Sequence, residues 1–168
     1  MSGSSDTRAT TASAAETEAA GAALAATLAP GDVVLLEGEM GAGKTTFVRG
    51  AARALGFDGP VTSPTFTIGR RYEPTHPGRA PIAHLDLHRL GGLADEDPAL
   101  LDDYLTPDAI AFVEWPEIAE PQLERIAAKV TLAHAGGDTR TITVTRPARA
   151  SPQASTASET SPQGEASP

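Results

Sequence analysis

The stretch that decides the fold is residues 33–46, which read VVLLEGEMGAGKTT. It opens on a short apolar run, Val33 to Leu36, of the kind that forms a buried β-strand. The residues that follow, Gly38 to Thr45, match the pattern G-x-x-x-x-G-K-[S/T] in full. A helix is predicted from Lys44 to Leu55, closed by Gly56. A strand, a glycine-rich loop and a helix in this order predict an α/β fold built around a phosphate-binding loop.

The chemistry of this loop follows from its residue types. Glycines let the backbone approach phosphate oxygens and point several N–H groups at them, and the start of the helix adds a partial positive charge. Lys44 is predicted to reach the β- and γ-phosphates of a nucleotide, and the Thr45 hydroxyl to bind Mg²⁺. The predicted nucleotide contacts here are Gly38, Glu39, Met40, Gly41, Ala42, Gly43, Lys44, Thr45 and Thr46. The alternative is a glycine-rich turn with an unrelated lysine, although the chain has only two lysines.

Two acidic residues stand at the ends of apolar strands and are candidates for the metal side of such a site. Asp86 belongs to a strand predicted over Pro81 to Leu87, and Glu114 ends one predicted over Ala109 to Glu114. In α/β sheets the carboxyl ends of strands face the ligand crevice. Either acid could bind Mg²⁺ directly or through water, or polarise an attacking water. Each could equally be a solvated strand end, and the sequence leaves open which one is the direct ligand. Together with Lys44 they are the predicted catalytic residues.

The rest of the chain mixes helices and strands, which predicts a single α/β domain resembling P-loop NTPases. Its central mixed sheet is expected to be flanked by helices and to include antiparallel strands. Ser13 and Glu16 form a capping box at the start of a first helix. The further predicted elements are that helix to Leu28, a β-prone segment from Thr65 to Tyr72, a short helix over residues 98–105, a helix from Glu117 to Ala128, and a hairpin of Val130 to Leu132 with Thr139 to Thr145.

Composition bounds the domain and its partners. The chain has 168 residues, a net charge of −9 and no cysteine. The acidic balance argues against binding DNA or other nucleic acid by bulk charge, and no apolar run approaches a membrane span. The missing cysteines exclude disulfides and fit a reducing compartment. Residues 1–12 and 147–168 are too poor in apolar residues to form a core, so both are predicted to be disordered tails around a folded domain of residues 13–146.

Four segments together resemble one family. GEMGAGKTTF, SPTFT, HLDLHRL and VEWPE, in this order and spacing, are similar to the motifs of the TsaE family, small bacterial P-loop ATPases of the tRNA threonylcarbamoyladenosine pathway. The resemblance spans about residues 13–146. It implies that Lys44 and Thr45 bind the terminal phosphates and Mg²⁺, and that Asp86 and Glu114 act at the metal. The family usually has aspartate where Glu39 stands and tyrosine where His88 stands.

The resemblance also implies residues that the first motif does not reach. Thr65 corresponds to the threonine of a switch-like loop, Trp115 to a required tryptophan after the glutamate, and Thr17 to a position near the nucleotide base. Arg140 corresponds more weakly to a residue lining the nucleotide site. The implied cofactors are ATP and Mg²⁺, and the implied partners are homologues of TsaD and TsaB in the cytoplasm. They modify the adenosine beside the anticodon in tRNAs that read codons starting with A, and this chain would not be the transferase.

Two other functions fit the phosphate-loop pattern. One is a small-molecule or nucleoside kinase, which would need an acceptor pocket and usually an arginine-rich lid. The other is a nucleotide-gated binding module without significant turnover. The chain has no N-K-x-D segment of the kind that reads guanine, which agrees with adenine. The acidic charge indicates that tRNA is met mainly through partner proteins. The loop Ser63 to Thr67 is expected to order around the γ-phosphate of ATP.

Overall fold

The apolar run of residues 33–36 forms the middle of a seven-stranded sheet. The computed structural model describes residues 4–64, 66–90 and 98–147. Its strands and helices are β1 (Ser5–Thr11), α1 (Ala14–Ala25), β2 (Val33–Glu37), α2 (Lys44–Ala54), β3 (Gly69–Tyr72), β4 (Ile82–Asp86), β5 (Ile110–Glu114), β6 (Ile126–His134) and β7 (Arg140–Arg146). Within the described ranges, three short 3₁₀ helices cover Pro98–Leu100, Pro116–Ile118 and Glu120–Gln122.

The sheet is parallel in its centre and antiparallel at both sides. Its strands lie in the order β1-β7-β6-β2-β5-β4-β3. Strand β2 pairs in parallel with both β5 and β6, and β4 pairs in parallel with β5. The antiparallel pairs are β3 with β4, β6 with β7, and β1 with β7. The predicted mixed sheet is therefore confirmed, with antiparallel pairing confined to the flanks.

The two faces of the sheet are covered differently. Alternation along β2 sends Val34 and Leu36 into a core with α1 and α2, where Phe47 is fully buried. Val33 and Leu35 face the other side, where the covering residues come from loops and 3₁₀ turns. Both α-helices of the described residues thus lie on one face, and within those residues the expectation of a sheet flanked by helices is wrong for the other face.

The helix predicted from Glu117 to Ala128 is wrong. The segment forms two 3₁₀ turns, each with a proline in its first positions, and then enters β6 at Ile126. Arg125, just before β6, has a positive φ of 56°, which is not a helical conformation. From there Ala128, Val130 and Leu132 are buried at every second position. Their alternation and the pairing with β2 outweigh the local helix preference of an alanine pair.

The N-terminal tail prediction is also wrong, because residues 5–11 form β1. All seven of these residues pair with β7, from Ser5 opposite Arg146 to Thr11 opposite Arg140. Six of the seven are exposed, so main-chain hydrogen bonds rather than apolar burial hold this edge strand. The hydrophobic pattern of a sequence does not predict a strand that is held by main-chain hydrogen bonds. Of the predicted C-terminal tail, residues 148–168 lie outside the described residues.

The remaining elements follow the predictions with shorter bounds. Ser13 caps α1 by accepting the Glu16 N–H, while Glu16 itself accepts the N–H of Ala12. The segment predicted as a helix over 98–105 has one 3₁₀ turn followed by hydrogen-bonded turns. The β-prone segment forms a strand only from Gly69. None of the helices in the described part of the chain is long and apolar enough to cross a membrane.

Helices α1 and α2 touch through two glycines. A Cβ atom built on Gly21 would lie 2.0 Å from the Phe47 carbonyl oxygen, and one on Gly50 would lie 1.9 Å from the Glu18 carbonyl oxygen. Both contacts are with backbone, which cannot turn aside as a side chain can. The close approach of the two helices therefore depends on the absence of a side chain at these positions.

We predict that Gly50→Ala destabilises the protein by roughly 1–3 kcal/mol, because the added methyl group forces α1 and α2 apart. Equilibrium denaturation in urea measures this change. Ala54→Gly, at an exposed position of the same helix, is the matched control. If helix propensity alone decided the outcome, Gly50→Ala would stabilise the protein by about 1 kcal/mol, and Ala54→Gly, at the last residue of α2, would destabilise it by less. An increase in stability for Gly50→Ala would contradict the packing account.

Candidate functional site

The site is built at the carboxyl ends of β2, β5 and β4. Strand β2 ends at Glu37 and the loop Gly38–Gly43, here called the glycine loop, leads directly into α2 at Lys44. Gly38 has φ 144°, and a Cβ there would lie 2.4 Å from the Leu132 carbonyl oxygen. Gly43 has φ 103° at the helix N-cap. Only glycine fits both positions without strain, so the loop's conformation follows from its sequence.

A cleft of about 320 Å³ opens beside the glycine loop. Its lining combines the loop, the start of α2 and the ends of two neighbouring strands. The lining residues are Met40, Gly41, Gly43, Lys44, Thr45, Thr46, Ser63, Asp86, His88, Glu114 and Trp115. Backbone N–H groups at a helix start, a lysine, hydroxyl groups and two carboxylates therefore meet in one concave space.

Lys44 lies folded onto the loop that precedes it. Its Nζ donates hydrogen bonds to the carbonyl oxygens of Gly38 at 2.6 Å and Glu39 at 3.0 Å. The same ammonium group lies 5.1 Å from the ring centroid of Trp115, within the range of a cation–π contact. Lys44 is only 6% exposed, so these contacts replace the water that would otherwise solvate its charge.

The parallel register places the two predicted carboxylates side by side. Asp86 stands opposite Glu114 in the β4–β5 pair, and Glu114 stands opposite Leu36 in the β2–β5 pair. Asp86 is partly exposed, and its Oδ1 accepts the backbone N–H of His88 at 3.0 Å. Glu114 is 3% exposed, and its Oε1 lies 2.7 Å from Nε2 of the fully buried His84. Glu114 is thus not the solvated strand end that the sequence left open.

Trp115 adopts a strained backbone conformation at the edge of the cleft. Its φ of 54° and ψ of 56° lie in the left-handed region, which costs a bulky residue on the order of 1–3 kcal/mol. In this conformation the indole ring lies near Lys44 and against His88, whose ring centroid is 4.8 Å away. Strained residues of this kind cluster at functional sites.

A second cavity of about 200 Å³ adjoins the first, and the two share Gly43 and Thr46. Thr17 of α1 and Arg140 of β7 line it. Thr17 is held by a 2.9 Å hydrogen bond between its hydroxyl and that of Thr11, while Arg140 donates to the carbonyl oxygens of Gly137 and Thr139. These two residues, far apart in sequence, therefore flank the start of α2 together.

The side chains of the cleft determine which kind of metal ion could be held here. Among them, no group of three or more His, Asp or Glu side chains is placed to hold a metal ion by itself. The donors available in the cleft are the Thr45 hydroxyl and the carboxylates of Asp86 and Glu114. A small number of hard oxygen donors suits Mg²⁺. This ion usually keeps several water ligands and also binds phosphate oxygens of the substrate.

Comparison with known proteins shows which family this chain belongs to. The family model for "Threonylcarbamoyl adenosine biosynthesis protein TsaE" matches residues 11–142. The chain belongs to the TsaE family. A TsaE of Bacillus subtilis is 42% identical over 77% of this chain and 79% of its own length, and one of Streptomyces coelicolor is 42% identical over 74% and 86%. The crystal structure of B. subtilis YdiB superposes with a TM-score of 0.69 at 34% identity, covering 86% of this chain and 88% of that one.

The predicted nucleotide and metal residues of this TsaE chain fall into four groups. Met40, Gly41, Gly43, Lys44, Thr45, Thr46, Asp86, Glu114 and Trp115 line the first cavity, and Thr17 and Arg140 line the second. Gly38, Glu39 and Ala42 line neither; the first two hold Lys44 through their carbonyl oxygens, and Ala42 is buried in the core. Thr65 lies outside the described residues.

Sequence reasoning missed several residues that the structure adds to the site. His88 lines the first cavity, Asp138 lines the second, and Nε2 of His84 contacts the Glu114 carboxylate. Ser63, which also lines the first cavity, belongs to the loop that the sequence predicts to order around the γ-phosphate. One signal was available for His84. It precedes Asp86 by two residues on a strand, so the two side chains lie on the same face of the sheet.

We predict that His88→Ala shifts the fluorescence emission of Trp115 to longer wavelength. Loss of the imidazole would expose one face of the indole to water, and Trp115 is the only tryptophan in the chain, so the signal has one source. Emission spectra of the ligand-free protein measure the shift. His134→Ala, at an exposed position in β6, should leave the spectrum unchanged. Identical spectra for both variants would contradict the contact between His88 and Trp115.

Proposed function

We propose that this TsaE chain is a Mg²⁺-dependent ATPase. It would support formation of N6-threonylcarbamoyladenosine beside the anticodon of tRNAs reading codons that start with A. The observation that carries the proposal is one cleft in which residues from the 40–45 stretch of a G-x-x-x-x-G-K-T motif meet two carboxylates from adjacent strand ends. Those groups match what binding and hydrolysis of a nucleoside triphosphate require. The relatives, named as tRNA threonylcarbamoyladenosine biosynthesis proteins, supply the pathway.

Each group of residues in the cleft would have its own role in binding ATP and Mg²⁺. The N–H groups at the start of α2 would receive the phosphate oxygens. Lys44 would exchange the carbonyl oxygens of Gly38 and Glu39 for the terminal phosphates. This exchange needs no large backbone movement, because the Lys44 Nζ already lies at the loop. Thr45, Asp86 and Glu114 would hold Mg²⁺, directly or through water. A bound Mg²⁺ supplies positive charge that offsets the charge of the β- and γ-phosphates.

The second cavity suits the base end of the nucleotide. Thr17 and Arg140 line it, and it meets the phosphate cleft at Gly43 and Thr46. ATP bound with its phosphates on the glycine loop would therefore extend toward these residues. We assign adenine because of the family resemblance and the absence of an N-K-x-D segment in the sequence.

The partners in this proposal are homologues of TsaD and TsaB, which would carry out the transfer in the cytoplasm. ATP hydrolysis by this chain would reset the complex between rounds. With a net charge of −9, the chain has no bulk attraction for RNA. We therefore propose that it meets tRNA mainly through its partner proteins.

We predict that Lys44→Ala lowers the rate of ATP hydrolysis by roughly 10²-fold or more, since it removes the ammonium group that would stabilise charge on the terminal phosphates. Phosphate release is measured with Mg²⁺ and with the TsaD and TsaB homologues present. Lys129→Ala is the matched control, because Lys129 is the chain's other lysine and pairs with Glu37 and Glu120 outside the cleft. Equal rates for Lys44→Ala and the unmodified protein would contradict the proposal.

The same assay separates the other two functions. A kinase would release little phosphate and would transfer it to an added nucleoside or small-molecule acceptor, so turnover would depend on that acceptor. A nucleotide-gated binding module would bind ATP with its partners present and show no turnover for Lys44→Ala to abolish. Phosphate release that needs Mg²⁺ and the partner proteins but no acceptor would support the ATPase.

We also predict that a non-hydrolysable ATP analogue with Mg²⁺ raises the protection of residues 63–67 from hydrogen exchange, because contacts with the γ-phosphate would order this loop. Exchange followed by mass spectrometry measures the protection. ADP with Mg²⁺ is the control, since it lacks the γ-phosphate. The same protection with both nucleotides, or with neither, would contradict a switch that reads the γ-phosphate.

A further inference from the structure

A buried histidine supports one of the two carboxylates from the neighbouring strand. His84 is fully buried in β4, two residues before Asp86, and its Nε2 lies 2.7 Å from Oε1 of Glu114 in β5. In the register of these strands His84 is opposite Phe112, so Glu114 lies two positions further along and on the same face. A carboxylate that holds Mg²⁺ is ionised and only accepts hydrogen bonds, so in that role Glu114 requires the Nε2–H form of His84 as its donor.

The surroundings of the other ring nitrogen of His84 do not favour a histidine at this position over an apolar residue. Its Nδ1 is buried and has no hydrogen-bond partner among the described residues. A buried polar atom without a partner is destabilising, and an apolar side chain of similar volume would avoid that loss. Among the described residues, the polar contact that the ring does make is the one to Glu114, which itself lines the cleft.

Asp86 is held by different means, which makes the role of His84 specific to Glu114. Asp86 is partly exposed and accepts the N–H of His88, a backbone group two residues further along its own chain. Glu114 is more deeply buried, and a glutamate has one more rotatable bond than an aspartate. Its carboxylate therefore needs a partner to select one orientation.

We propose that His84 is a positioning residue. By donating from Nε2 to Oε1, it fixes the Glu114 carboxylate so that Oε2 is presented to Mg²⁺ or to a water bound to it. This inference rests on the proposed Mg²⁺-dependent ATP site. Residues that orient a metal ligand typically change metal affinity or activity by 10- to 100-fold when they are replaced.

The test compares His84→Gln with His84→Asn. The amide nitrogen of glutamine reaches the position of Nε2 and keeps the donor, whereas that of asparagine corresponds to Nδ1 and stops short of Glu114. Both variants place a neutral amide in the same buried position. The measured quantity is the Mg²⁺ concentration that gives half of the Trp115 fluorescence change in the presence of a non-hydrolysable ATP analogue. Denaturation in urea reports the stability of each variant separately.

We expect His84→Asn to raise the half-saturating Mg²⁺ concentration by about tenfold or more, and His84→Gln to stay within about threefold of the unmodified protein. Binding of the analogue in EDTA should be equal in all three proteins, because the glycine loop and Lys44 are unchanged. If both variants lose stability while their Mg²⁺ response stays that of the unmodified protein, or if both lose the response equally, the positioning role is overturned.

A measurement on the unmodified protein keeps the inference testable if His84→Asn does not fold. In protein labelled with ¹⁵N histidine, the nitrogen spectrum should show His84 as the Nε2–H tautomer, and this signal should shift when Mg²⁺ and the ATP analogue are added together. A signal that does not move would overturn the inference. If the unmodified protein gives no Mg²⁺-dependent response in either measurement, the proposed function itself fails; a response that the His84 variants leave intact removes only the role of His84.

Discussion

The parallel pairing of β2 with β5 and of β5 with β4 is the constraint on which the site depends. Parallel strands end at the same edge, so the register that sets Leu36 opposite Glu114 and Glu114 opposite Asp86 brings both carboxylates to the end of the glycine loop. A register shift of one residue would turn each acid to the opposite face. The buried apolar residues of β2, β4 and β5 hold this register, because each strand is covered on both faces.

The site includes features that a stable core alone would not favour. Trp115 has a left-handed backbone conformation, Lys44 is buried against loop carbonyl oxygens, and His84 has a ring nitrogen without a hydrogen-bond partner among the described residues. Each of these costs stability, on the order of 1–3 kcal/mol for the backbone strain and for a lost buried hydrogen bond. They are concentrated at one edge of the sheet, and the apolar core of β2, α2 and β5 offsets them. This grouping is what links the fold to a reactive site.

The antiparallel flank contributes to the site as well as enlarging the sheet. Strand β7 carries Arg140, and β1, which pairs with it along its whole length, ends at Thr11 beside Thr17. The hydrogen bond between the two threonines connects the edge strand to α1. Residues from both ends of the chain therefore meet next to Gly43 and Thr46, at the start of α2. The seemingly featureless N-terminal sequence thus has a structural function.

By itself the sequence determined β2, the glycine loop, α2 and the acids that end β4 and β5, because each follows from a local pattern: an apolar run, glycines with positive φ, or an acid after a buried strand. Tertiary structure alone decided the rest. Residues 126–134 became a strand because β2 offered a parallel partner to Ala128, Val130 and Leu132, and residues 5–11 became a strand because β7 offered a free edge. The contact of His84 with Glu114, and the meeting of Thr17 with Arg140, join residues distant in sequence, and no local pattern encodes such a distance.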